Sequence, residues 1–317
     1  MNGYVNTVRA EIFKLRHKRR SYVIAGLLWL LLPLLLLVIG WVLQTRIAGT
    51  FAEEGFSVQE IVQSLASPIA IARNSLLILG NLAPSLLIIV IALTAALLVG
   101  EERTQNMWKT VLTVQPSRVA VLSGKLTASM LYLGVLLAGS LAASVVFGGI
   151  GTTFLGTEFG TGWGELIGLY AVQWVFSLAA MLFAFLMVWL LRSLPLGIVS
   201  IFFLPAVLEG AYTFYRSVVG FERLTNRFNA LLQTLQLRNT FQELPRYFFT
   251  TNLYAPSRKP IAEVAALFGG GDADFNLNNP LAAFFSPNLL HSALVLAVYA
   301  LVFGALLYWR FTRSDIA

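Results

Sequence analysis

Residues 22–43 read YVIAGLLWLLLPLLLLVIGWVL, an unbroken run without a single charged side chain. A helix needs about 20 apolar residues to cross the hydrocarbon core of a bilayer, so this stretch predicts a membrane-spanning helix. Pro33 inside it is compatible with a span, because a neighbouring helix satisfies the carbonyl that proline leaves without a donor. The polar-leaning residues ahead of it are too many for a secretory leader and lack a small-residue exit, so the run reads as an uncleaved first span.

Five more apolar blocks repeat the pattern: about 75–99, with Asn81 and Pro84 inside; 126–147, closed by Gly148-Gly149; 165–191; 194–219; and 289–309. The connection Arg192-Ser193-Leu194-Pro195 is so short that the fourth and fifth spans must be antiparallel neighbours. Only 12% of the residues are charged and 57% are hydrophobic, whereas a soluble domain carries roughly a quarter charged residues. The expected fold is an all-α integral membrane protein. It is a single transmembrane domain over 1–317, a bundle of about six transmembrane helices with an N-terminal amphipathic interfacial helix.

That amphipathic helix spans 3–20. Val5, Val8, Ile12 and Leu15 recur at helical spacing, against Arg9, Lys14, Arg16, Lys18, Arg19 and Arg20 on the polar side. Such a helix lies in the headgroup layer with its cations toward anionic lipid, and also anchors topology. Ser57-Val58-Gln59-Glu60 is a capping-box pattern ahead of Ile61, Val62 and Leu65, which predicts a short amphipathic helix on the outer surface. Residues 100–125 are the most polar stretch expected in the cytoplasm. Residues 220–288 form a long outer segment. In it Phe228, Leu231, Leu232 and Leu235 sit at helical spacing, 260–268 read as a short helix, and Gly269-Gly270-Gly271 as a flexible turn.

The cations set the expected orientation. Six precede the first span; Arg103, Lys109, Arg118 and Lys125 lie in 100–125; Arg192, Arg310 and Arg313 flank later spans. The loop between spans three and four has neither Lys nor Arg. By the positive-inside rule both termini are cytoplasmic.

The net charge of +7 does not indicate nucleic acid, since the basic residues stand beside apolar blocks as topology determinants. Without cysteine there is no disulfide, thiolate metal site or redox chemistry. A phosphate-cradling loop is absent: at Gly124-Lys125, Val119 replaces the first glycine and Leu126 the hydroxyl residue. His17 and His291 are too far apart for a zinc-protease pair. Glu101-Glu102 is followed by Asn106 where an intramembrane protease of the E-E-x-x-x-R type would carry arginine. No catalytic, cofactor-binding or metal residue is expected; an intramembrane enzyme is the lesser reading.

The basic opening VRAEIFKLRHKRRS, the stretch GEERTQNMWKTVLTVQPSRVAVLSGKL and the six-span plan resemble the permease subunits of type-2 ABC exporters, bacterial relatives of drug, polysaccharide and bacteriocin-immunity transporters. The resemblance covers nearly the whole chain, and the second stretch is its most specific part; the long outer segment departs from shorter bacterial forms. It implies two permeases, identical or similar, in the cell (plasma) membrane, seated on two ABC ATPase subunits. ATP and Mg would be bound by those partners and not by this chain. It also implies that the stretch after span two is a coupling helix resting in a cleft of the ATPase. Glu101, Glu102, Arg103, Thr104, Met107, Trp108, Lys109 and Arg118 are then the expected contacts: acids near a helix start, a Met-Trp knob, and docking charges. The competing reading of Trp108 is an interfacial indole at headgroup depth.

Polar residues within spans are candidates for a transport pathway. Asn81 and Gln173 also suit helix–helix glue; Glu209, fifteen residues after Leu194 or about 22 Å along a helix, also suits an acid near the outer surface. The expected function is the membrane subunit of an ATP-driven exporter moving an amphipathic, drug-like, peptide or lipid-like substrate outward. The alternative is a secondary transporter or channel, which usually buries several ionisable groups at mid-depth.

Overall fold

The structure is a computed structural model, and it describes residues 2–47, 57–81, 85–104, 107, 111–113, 117–191, 193–219, 243–259 and 288–313. Among these the chain is all-helical. Helix α1 is Asn2–His17 and α2, the first span, is Arg19–Arg46. One turn ahead of Pro33 this span widens into a π-turn at Leu27–Leu31, the adjustment a helix makes where a proline supplies no N–H.

The N-cap half of the predicted capping box is present: Ser57 Oγ accepts from the Glu60 amide at 3.4 Å and starts α3, Val58–Ala66. Val62 and Ala66 of that helix are buried. Pro68 then forces Ser67 into an extended conformation, and α4, Pro68–Asn81, leaves at 66° to α3. Ser85 caps α5, Leu86–Gly100, by accepting from Ile88 N at 3.5 Å while donating to Leu79 O at 2.7 Å. The block expected at 75–99 thus belongs to two helices flanking 82–84. The helix runs on for one turn, Glu101–Thr104.

Ser117 caps α6, Arg118–Leu155, a single helix of 38 residues closed by Gly156 at φ 62°, the left-handed position that glycine tolerates. Helices α7, Trp163–Leu190, and α8, Leu194–Val219, follow. A 3₁₀ turn at Leu244–Tyr247 and the short α9, Phe249–Leu253, precede α10, Leu289–Arg313. Phe228, Leu231, Leu232, Leu235 and the expected features at 260–271 lie outside the described residues.

Among the described residues five helices are long and apolar enough to cross a membrane, or six if the bent α3–α4 pair is one span. Helix α7 is the centre of the bundle: Phe176, Met181, Phe183 and Phe185 are all buried. Close crossings rest on small residues. A Cβ at Gly148 would stand 2.3 Å from the Pro68 Cα, and one at Gly139 would stand 2.2 Å from the Trp29 indole, whose Nε1 donates to Leu136 O at 2.9 Å.

Candidate functional site

At one end of the bundle α1 lies across the ends of α5 and α6. Tyr4 meets Thr127 at 2.7 Å, Thr7 packs where a Cβ on Gly124 would touch it, and Glu11 meets Lys125. The apolar residues expected to share one face of α1 divide between two. Leu15 and Glu11 are buried toward the bundle with Thr7, Lys14 and Lys18 half-buried beside them, whereas Val5, Ile12 and Phe13 are exposed among Arg9 and Arg16. The bundle-facing side carries charge because the ends of α5 and α6 carry the matching charge.

Lys125 has no solvent exposure. Its ammonium lies 2.5 Å from Glu11 Oε1 and 2.9 Å from Glu102 Oε2, and it donates to Leu98 O at 2.9 Å. Lys14 bridges the same two carboxylates, pairing with Glu102 and lying 3.1 Å from Glu11. Lys125 and the two carboxylates are thus withdrawn from water, and Lys14, half-buried at the edge, brings the cluster to neutrality, the condition under which buried charge is tolerated. Around them, Lys18 pairs with Glu101 and donates to Leu97 O at 3.0 Å, and Arg20 donates to Glu101 Oε1 at 2.9 Å. Leu97 and Leu98 belong to a π-turn at Ala96–Gly100. Such a turn shifts the regular backbone ladder, and here two lysines meet its carbonyls.

Burial pushes the Glu102 carboxyl up, but Lys125 and Lys14 outweigh it and hold Glu102 below the usual carboxylate range. Burial likewise lowers the Lys14 ammonium, yet Glu102 and Glu11 leave it above the ordinary lysine value.

Of the residues singled out on 100–125, Glu101 and Glu102 thus bond within the chain. Arg103 and Thr104 sit on the last helical turn, Met107 is exposed, and Trp108 and Lys109 lie outside the described residues. Arg118 donates to Thr312 O at 2.9 Å and Phe311 O at 3.4 Å, tying the start of α6 to the end of α10. Among the six N-terminal cations Arg9, Arg16 and Arg19 are exposed, while Lys14, Lys18 and Arg20 belong to the clamp. Glu11 and Lys125 are the functional candidates that sequence reasoning missed. The available signal was that Val121, Lys125, Ser129 and Leu133 fall on one helical stripe.

Toward the other end, the three polar span residues converge on one segment, 246–258. Gln173, fully buried, donates from Nε2 to Leu253 O at 3.0 Å. Glu209 accepts from the Thr250 amide at 2.9 Å and from its hydroxyl. Asn81 donates to Ser257 O at a long 3.4 Å.

The described residues are those of an all-α, multi-pass membrane bundle with a charged clamp at one end. The sequence pattern of the family described as ABC-2 family transporter protein matches residues 7–208, and the chain belongs to that family. Membership implies an ABC transport system with an ATPase partner. No curated protein and no solved structure matches the chain.

Proposed function

We propose that the chain is the permease of an ATP-driven exporter, moving an amphipathic, drug-like, peptide or lipid-like substrate out of the cell, and that 100–125 is the segment on which the ATPase pushes. The observation that carries this reading is the clamp. A push on 101–118 reaches Glu101 and Glu102 first, and their partners stand on α1, α2 and α6. Motion at that hinge is therefore delivered to three helices at once. Exposed Met107 supplies an apolar contact for the partner. Both termini lie in the cytoplasm in this reading. The exposed Val5, Ile12 and Phe13 with Arg9 and Arg16 rest on anionic lipid, and two permeases sit on two ATPase subunits.

A Trp108→Ala, Lys109→Glu variant tests the assignment. It loses ATPase co-purification and ATP-driven transport while the permease still reaches the membrane. Retention of both refutes the coupling role, as does labelling of Trp108→Cys from outside the cell.

A further inference from the structure

Arg118 closes the hinge segment 101–118 and is the first residue of α6. Its half-buried side chain turns onto the end of another span: Nη1 donates to Thr312 O at 2.9 Å and, more weakly, to Phe311 O at 3.4 Å. Both carbonyls lie in the last turn of α10, where the final four C=O groups have no donor within the helix and the dipole is negative. A guanidinium there is held by charge as well as by hydrogen bonds. A few residues on, Ser123 of α6 and Tyr308 of α10 share a hydrogen bond at 2.7 Å. At the other end of the hinge, Glu101 and Glu102 are bound to α1, α2 and α6. The hinge is therefore anchored at both ends, and α10 is what its second end holds.

The seating of α10 decides what such an anchor can do. Its buried residues, Ser292, Leu296, Leu307 and Phe311, form one narrow stripe, and Phe311 meets Trp189 of α7 edge-on at 4.8 Å between ring centroids. Leu290, Leu294, Val298 and Leu301 are exposed. Lipid tails are as apolar as these side chains, so a tilt of α10 loses little on that side. Its apolar contact with α7 is non-directional and tolerates small shifts. The first half of α10 has bonds of its own: His291 Nε2 lies 3.1 Å from Arg246 O, and Tyr299 donates to Tyr247 O at 3.0 Å. That half is a pivot. The last turn, bonded to α6, is the end that a moving hinge can swing.

We propose that Arg118 is a positioning residue for transport, carrying the motion of the hinge into α10 so that α6 and the last turn of α10 swing together. This rests on the exporter reading given above, and it assigns Arg118 to a tie within the permease instead of to docking on the ATPase. Without the tie, α6 would move while α10 stayed behind on α7.

The chain has no cysteine, so Ser123→Cys with Tyr308→Cys is a single reporter pair; it removes the hydroxyl bond and leaves Arg118 as the tie under test. The full chain with its ATPase, in nanodiscs of phosphatidylethanolamine and phosphatidylglycerol, is treated with a bis-methanethiosulfonate whose spacer makes up the length of the lost phenol. Each chain ends either bridged or doubly capped, and the ratio of the two by intact mass reports how often the helices are adjacent. Bound ATPase and ATP hydrolysis are measured in the same samples. With Arg118 present, ATP turnover should change the ratio by less than about two-fold; a pair that does not bridge, or that parts during turnover, overturns the tie. Charge-assisted hydrogen bonds shift an equilibrium roughly ten-fold or more, so Arg118→Ala should lower the ratio at least about five-fold during turnover. At rest, packing on α7 should keep the same variant within about three-fold of the parent. Arg118→Lys, which keeps a cation at the helix end, should recover at least about half of the turnover ratio. An Arg118→Ala pair unmoved by turnover, one already parted at rest, or a lysine no better than alanine each overturns the proposal. Loss of bound ATPase from Arg118→Ala would return the residue to docking and overturn it too. No ATPase on the parent chain sinks the exporter reading and this proposal with it, whereas a hydrolysing complex whose Arg118→Ala pair keeps pace sinks the tie alone.

Discussion

Replacing Lys125 by methionine removes the fully buried ammonium between Glu11 and Glu102 while keeping most of its volume. Lys14 alone then faces two carboxylates, so one negative charge is left inside the bundle without compensation. Breaking a buried ion pair by deleting one partner costs about 3–5 kcal/mol, which at about 1.4 kcal/mol per decade is roughly a hundred-fold or more in the equilibrium that releases α1. Adding Glu11→Gln removes the surplus charge, and a buried pair replaced on both sides is often close to neutral. Limited trypsin digestion reads this directly, because Arg9 and Arg16 are exposed and cleavage tracks the open population when reclosing is fast. Lys125→Met should raise cleavage within α1 about a hundred-fold, and the Glu11→Gln double variant should return to within about ten-fold of the parent. A single variant cleaved within about three-fold of the parent would show that Lys125 does not hold α1, and the clamp argument would fall with it.

The clamp should also have a pH window. Glu102 is depressed in the folded chain, so its contribution is present above the unfolded carboxyl value of about 4.3 and is lost as pH falls through the folded one. Lys14 is raised, so its contribution is full below about 10.4 and is lost as pH rises through the folded value. Protection of α1 from a non-specific protease should therefore be flat from about pH 5 to 9 and fall at both extremes; a decline centred near pH 7 would mean that some other group governs docking. Gly148→Leu should abolish assembly of a detergent-stable bundle, since its Cβ would meet Pro68 backbone at 2.3 Å. Gly149→Leu, whose Cβ meets nothing within 4 Å, should keep the parent's melting temperature within a few degrees, and equal damage from both would refute the packing argument.

Much of the bundle was readable because spanning a bilayer is a local demand: length and apolarity are visible within one window, as in 22–43. The cap at Ser57 and the close succession of α7 and α8 are local as well. The clamp was not. Glu11 and Lys125 are separated by 114 positions, and each alone looks like a charge at the edge of an apolar run. Burial of Lys125 becomes visible only once α1 is known to lie across α6. Similarly, Asn81, Gln173 and Glu209 stood out as polar residues in apolar surroundings. Their common neighbour did not, because 246–258 has neither the length nor the periodicity of a span. The start of α5 shows the same limit, since the apolar block 75–99 gives no sign that Ser85 caps a fresh helix.

The 38 residues of α6 amount to about 57 Å of helix, nearly twice the roughly 30 Å of a hydrocarbon core. One continuous helix is therefore longer than a hydrocarbon core is thick, touching α1 near its first turns and α3 at its last through Gln59 and Leu155. Rocking it by 10° displaces one tip relative to the other by about 10 Å. If α6 moves as one body, a small rotation near α1 becomes a sizeable stroke near α3.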